Sequence, residues 1–144
     1  MGCTIKNSIG FQIKKTKGIM DREHNKYLKP YGVSSDQGLI MKYVYDMPGC
    51  SQTELSEATY KDKTTITRMI DTLVNKGFIK RCDAPSDRRS FCLHLTPKGT
   101  EVVETLSPLF QNHKDALEKL IVPEDAEATM RVLKIIEEYF KGLN

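Results

Sequence analysis

Between residues 51 and 99 the hydrophobic period changes twice, and this limits the folds open to the chain. Ile66, Ile70, Leu73 and Val74 recur at i, i+4, i+7 and i+8, the spacing of one helix face. Further on, Ser90-Phe91-Cys92-Leu93-His94-Leu95 alternates strictly, with Phe91, Leu93 and Leu95 on one side, the pattern of a half-buried strand. Thr96-Pro97 then restores a helix start, a cap residue followed by proline in the first turn. One face of a helix repeats every 3.6 residues and one face of a strand every two, so neither element suits the other's pattern. A β-hairpin set between helices satisfies both.

The flanking residues punctuate this segment. Ser51-Gln52-Thr53-Glu54 is a capping box that opens a short helix of about two turns, with Leu55 and Ala58 inward. Asp62 caps the next helix, about 63–76, and Gly77 is placed to end it. Phe78 to Asp83 is the first strand, and Ala84-Pro85-Ser86-Asp87-Arg88-Arg89 a charged turn. Upstream, residues 4–29 read as a helix with Ile5, Ile9, Ile13 and Met20 on a stripe, weakened by Gly10 and Gly18 and broken at Pro30-Tyr31-Gly32. A helix over 36–46, capped by Ser34 or Ser35, carries Leu39, Ile40, Tyr43 and Val44. Downstream lie a long helix, 97–120, with Pro108 inside it, and a last one, 124–141, with Met130, Val132, Leu133, Ile136, Tyr139 and Phe140.

The expected fold class is therefore mainly α with a small β-hairpin wing: a winged helix-turn-helix with flanking N- and C-terminal helices. The chain reads as one domain, 1–144, with a lobe at 34–96 and dimerisation helices at 4–29 and 97–141. The wide apolar surface of the last helix either caps the core or forms a dimer interface. The interface is preferred, because the first and last helices have little core to share.

With Ile66, Ile70 and Leu73 inward, the 63–76 helix turns Lys63, Thr64, Thr67, Arg68 and Asp71 outward. Lysine and arginine suit phosphate or guanine, and threonine suits phosphate or a thymine methyl. The second helix of a helix-turn-helix enters the major groove in this way. The bland alternative is a solvated face. Charge favours DNA: residues 61–99 carry 9 basic and 4 acidic side chains, net +5, whereas residues 100–144 carry 5 and 9, net −4. The hairpin tip adds arginines suited to a narrow minor groove. The expected DNA-binding set is Lys63, Thr64, Thr65, Thr67, Arg68, Arg88 and Arg89, with Asp87 bracing the wing loop. A winged-helix protein-interaction module without DNA binding is the competing reading; lysine is depleted in protein-interface cores, which weighs against it.

Other classes find little support. The chain has no P-loop, G-x-G-x-x-G, G-x-S-x-G or H-E-x-x-H motif, so no enzymatic activity is expected. No cofactor and no metal site are expected, and no cysteines form a C-x-x-C pair. No stretch is apolar enough to span a membrane and no secretory signal is read, so a cytoplasmic location is expected.

The stretch Asp87 to Gly99, DRRSFCLHLTPKG, resembles the wing signature of the multiple-antibiotic-resistance-regulator (MarR) family: an Asp-x-Arg, an alternating strand, then Leu-Thr and a glycine. The upstream DKTTITRMIDTLVNKGFIKR is similar to that family's recognition helix and first wing strand, and the element order agrees along essentially the whole chain. The resemblance implies a homodimer joined by its first and last helices, one helix per subunit in successive major grooves, and wing arginines in the flanking minor grooves. By position Arg89 matches the wing-tip arginine and Asp87 its partner acid. It also implies a transcriptional regulator, by default a repressor, on a pseudo-palindromic operator of double-stranded DNA.

A small-molecule effector is also implied by the resemblance, bound between the dimer helices and the DNA-binding lobe; Arg22, His24, Tyr27, Tyr31 and Tyr43 are the candidate lining, although each is individually more common as a core or solvent-facing residue. A thiol-based redox-sensing regulator is the alternative, with Cys3 at the start of the first helix, where a helix N-terminus can lower a thiol pKa. That position departs from the family's peroxide-sensing branch, whose cysteine lies within the first helix. Cys82 and Cys92 could face each other across the wing strands, where thiols are usually structural. Zinc sensing through His24, His94 or His113 ranks last, because the sequence shows no compact Cys/His cluster.

Overall fold

Local side-chain chemistry sets where the helices begin. In the computed structural model, which describes residues 4–84 and 87–143 but not the side chains of residues 83–91, the order is α1 (Ile9–Leu28), α2 (Ser35–Asp46), β1 (Cys50–Ser51), α3 (Gln52–Thr59), α4 (Lys63–Asn75), β2 (Ile79–Ala84), β3 (Asp87–Leu95), α5 (Pro97–Leu120) and α6 (Pro123–Lys141). The first helix starts later than 4 because Ser8, in extended conformation, takes the cap and accepts from the Phe11 N–H. The residues just before it form a 3₁₀ turn, Ile5–Asn7. Ser34 caps α2 in a capping box with Gln37, and Ser51 caps α3 in a second with Glu54. Asp62 caps α4 through the Thr65 N–H at 2.7 Å. Each device satisfies a backbone donor that the first helical turn would otherwise leave open.

The three strands form one antiparallel sheet in the order β1-β3-β2. Cys50 pairs with Leu93 and Ser51 with Cys92, so β1, two residues long and absent from the sequence-based expectation, closes the far edge of the hairpin. Ile79, Lys80, Arg81 and Cys82 pair with Leu95, His94, Leu93 and Cys92, and an irregularity follows before Ala84 meets Asp87. Gly77 adopts φ +79°, the left-handed conformation that ends α4 and turns the chain into the sheet.

The core lies where this sheet meets the helices. Ile40, Met41 and Val44 of α2, Leu55 of α3, Ile66, Ile70 and Leu73 of α4, Ile79, Leu93, and Val102, Val103 and Leu106 of α5 are buried. The α4 stripe is therefore as expected, except that Val74 is only half-buried. In α3 the inward partner of Leu55 is Ser56, not Ala58, which is exposed. Ser56 is tolerated there because its hydroxyl donates to the Lys61 carbonyl at 2.6 Å.

The chain falls into two compact units, one ending at Leu106 and one from Ser107 onward. The first contains the core just described. In the second, α5 runs through Pro108 to Leu120, and no described residue of α6 is buried. No helix among the described residues is long and apolar enough to cross a membrane.

Candidate nucleic-acid interface

Burial of the Ile66, Ile70 and Leu73 stripe fixes the rotation of α4 and leaves its opposite face in solvent. Lys63, Thr64, Thr67, Arg68 and Asp71 line one open concavity on that face, and all five are exposed. Two cations and two hydroxyls thus stand along about two turns at the N-terminal end of the helix. Four of the residues expected to meet DNA, Lys63, Thr64, Thr67 and Arg68, are brought together here. Thr65 stands apart: it is half-buried, and its hydroxyl donates to Asp62 at 3.0 Å, so it completes the cap.

A polar clamp holds this face against the wing. The Arg81 side chain, on β2, donates through Nε to Gln52 Oε1 at 2.9 Å and pairs through Nη2 with Asp71. Gln52 in turn donates to the Thr67 hydroxyl at 3.3 Å. The first residue of α3, the exposed face of α4 and the first wing strand are thereby joined in one network. Gln52 and Arg81 do not stand out in the sequence, since a hydrogen-bonded Gln–Arg–Asp set carries no periodic signal. The Asp71–Arg81 pair gives the clue in retrospect: an acid on a DNA-facing helix requires a cation to offset it, or it repels phosphate.

The cap of α4 is charged. Hydrogen bonds from the Thr65 N–H and hydroxyl, with the Arg68 charge a smaller contribution, hold the Asp62 carboxyl below the usual carboxylate range. A carboxyl depressed in the folded state stabilises the fold at pH values above the ordinary Asp range. That contribution disappears as the pH falls through the lowered value. Asparagine caps nearly as well without titrating. Asp62→Asn is therefore expected to remove part of the acid-side loss of stability, as read from thermal melts between neutral pH and the acid limit. Superimposable pH profiles for the two proteins would contradict this account of the cap.

The other expected site residues are scattered. The side chains of Asp87, Arg88 and Arg89 and the whole of Cys3 lie outside the described residues. Among the suggested effector contacts, Arg22 is exposed on α1, and His24, Tyr27, Tyr31 and Tyr43 are half-buried. Tyr27 donates to Glu23 at 3.3 Å. Their neighbourhood is tied down by polar contacts: Asp21 accepts from the Ser35 hydroxyl at 2.9 Å and Asn25 from the Ser35 N–H at 2.7 Å, joining α1 to the start of α2. Cys82 and Cys92 do face each other across the wing strands. The sequence suggested no compact Cys/His cluster, but the fold makes one: His94 joins this pair, whereas His24 and His113 stand elsewhere.

Known proteins share the sequence pattern and the fold of this chain. A sequence model described as the MarR family matches residues 33–91, from the end of the first helical segment into the second wing strand. A putative transcriptional regulatory protein for the hcr operon of Thauera aromatica is 36% identical over 64 residues, 44% of this chain and 39% of that protein. The HTH-type transcriptional regulator BilQ of Clostridium symbiosum is 30% identical over 107 residues, covering 74% of each chain. A crystal structure of a MarR mutant from E. coli complexed with operator DNA superposes with a TM-score of 0.74 at 26% identity, covering 89% of this chain and 92% of that one. The winged helix-turn-helix, its element order and these relatives together place the chain in the MarR family of transcriptional regulators.

Proposed function

We propose that this protein is a homodimeric regulator that binds double-stranded DNA, with α4 in the major groove and the wing reaching the adjacent minor groove. The observation that carries this reading is the solvent face of α4. Lys63, Thr64, Thr67 and Arg68 project together from a helix whose other side is locked into the core. The DNA-bound MarR structure with the same fold supports it. Two such helices related by a dimer axis would meet half-sites about one helical turn apart, so the operator is a pseudo-palindrome. Arg88 and Arg89 supply the minor-groove contacts and Asp87 braces their loop. The protein acts in the cytoplasm without catalysing a reaction, as a repressor released by a small molecule bound near α1 and α2.

The test is duplex binding as a function of salt. Each lysine or arginine on a phosphate contributes about 0.9 to the slope of log affinity against log salt. Arg68→Ala and Arg89→Ala are each expected to lose about 1–3 kcal/mol of affinity for the selected operator, and a phosphate contact would also reduce the salt slope by about one. Binding to duplex DNA that ignores salt, or unchanged affinity in both variants, would favour a protein-interaction module instead.

A further inference from the structure

We propose that Cys82, Cys92 and His94 form a binding site for a thiolate-preferring cation of the zinc type, built into the wing sheet. One thiol sulfur from each cysteine and one imidazole nitrogen all lie within 4.8 Å of one another, and all three residues are half-buried. Zinc bonds sulfur at about 2.3 Å and nitrogen at about 2.0–2.1 Å, which sets neighbouring donors of a tetrahedral site roughly 3.5–3.8 Å apart. Small side-chain rotations therefore bring all three onto one ion with no change in the backbone.

The register explains why these donors meet. Cys82 of β2 is the direct cross-strand partner of Cys92 of β3. His94 follows Cys92 by two residues and so returns to the same face of the sheet. Leu93, between them, points the other way into the core. Gly49 approaches the imidazole from beside β1, and a Cβ there would lie 3.6 Å from the His94 ring, so the absence of a side chain leaves the ring room to turn. The other cross-strand neighbours are Ser51, opposite Cys92, and Lys80, opposite His94; Lys80 is exposed and can extend into solvent.

The donor chemistry selects the ion. Two sulfurs and one imidazole suit zinc or cuprous copper and offer nothing to magnesium or calcium, which require oxygen. The Cys92 thiol donates to the Cys82 carbonyl at 3.2 Å. On metal binding both thiols release their protons to solvent, that hydrogen bond is given up, and two thiolates balance the charge of one divalent ion. A water would fill the fourth position. Such an ion would join β2 to β3 between the end of α4 and the wing tip, clamping the base of the hairpin that the proposed function places on DNA. The site itself is independent of that function.

Titration of the full-length, fully reduced protein with cobalt(II) chloride, followed by displacement with zinc sulfate, tests the assignment. One ion per chain is expected, with a thiolate-to-cobalt charge-transfer band and the visible absorption of a tetrahedral site. Zinc should raise the unfolding temperature, because it binds the folded chain selectively. Cys82→Ser and Cys92→Ser should each weaken binding more than about 100-fold, and His94→Ala at least about tenfold, since each removes a ligand from a three-donor site. Cys50→Ser and Cys3→Ser should leave the spectrum unchanged, which separates these two sulfurs from the site. Circular dichroism of each variant establishes that it is folded. Absence of the charge-transfer band in the unaltered protein overturns the assignment. So does an equal titration in a folded Cys82→Ser/Cys92→Ser double variant.

Discussion

Replacing Gly99 by alanine is expected to lower the midpoint of thermal unfolding by roughly 6–12 °C, taking a cost of about 3 kcal/mol and about 2–4 °C per kcal/mol for a chain of this size. Gly99 is buried in the first turn of α5. A Cβ added there would lie 2.1 Å from the Phe78 carbonyl oxygen and 3.0 Å from its carbon. That carbonyl cannot retreat cheaply. It accepts from the Thr96 N–H at 3.0 Å, while the Thr96 hydroxyl donates to the Gly77 carbonyl at 2.5 Å and accepts from the Gly99 N–H at 3.1 Å. The Phe78 side chain is itself buried, so the peptide is fixed from both sides. Relief requires α5 to lift away from the residues that link α4 to β2, and each hydrogen bond broken in doing so adds about 1 kcal/mol.

Gly18, in the middle of α1, is the control for the ordinary effect of alanine. Nothing lies within 4 Å of a Cβ built there, so Gly18→Ala should stabilise by up to about 1 kcal/mol through helix propensity alone. Opposite signs at two helical glycines would locate the Gly99 effect in its contact with Phe78. A Gly99→Ala protein that melts with the unaltered chain would show that α5 docks with more slack than these distances allow.

The parts of this fold that were legible in the sequence are those written in neighbouring residues. The capping box at Ser51, a serine cap at Ser34 or Ser35, the Asp62 cap, the α4 stripe and the Gly77 turn each depend on side chains within a few positions of the backbone they serve, although only the structure settles on Ser34 and adds its box with Gln37. The orientation of α4 followed from the same stripe, and with it the exposed set Lys63, Thr64, Thr67 and Arg68. What escaped depends on pairing between distant segments. The two-residue strand at Cys50 exists only because β3 is there to pair with it, and two residues carry no period. The Gln52–Arg81–Asp71 clamp and the Cys82–Cys92–His94 cluster likewise require the hairpin register, which an irregularity between Cys82 and Ala84 shifts on the way to the tip. The sequence offered Cys82 as the residue facing Cys92 across the wing strands, but not the three-residue cluster that His94 completes.

Introducing charge into α6 should convert the protein to a monomer while leaving its lobe folded. Val132, Ile135 and Tyr139 follow one another at intervals of three and four residues, the spacing of a single helix stripe. In the isolated chain Ile135 remains 65% exposed and Tyr139 63%, with Met130 at 66% on a neighbouring line. On α1, Ile9 and Ile13 are exposed four residues apart, and Ile5 is exposed in the 3₁₀ turn that precedes it. Apolar stripes of this length in a solvated chain mark an interaction surface, and the proposed homodimer covers them with a second copy. Burying one such side chain contributes about 1.5–3 kcal/mol, and a two-fold interface counts each position twice. Ile135→Glu combined with Tyr139→Glu therefore removes roughly 6–12 kcal/mol, before the cost of desolvating the new carboxylates. Dimer dissociation should strengthen by about 10,000-fold or more, enough to give a monomer by sedimentation velocity at micromolar concentration, and truncation before Glu124 should do the same. Because no described α6 residue is buried within the chain, helical content should stay close to that of the unaltered protein. Affinity for a pseudo-palindromic duplex should fall towards that of a single half-site. A dimer that persists in the double variant would move the interface away from α6, and an unaltered protein that sediments as a monomer would remove the two-fold arrangement on which the half-site spacing rests.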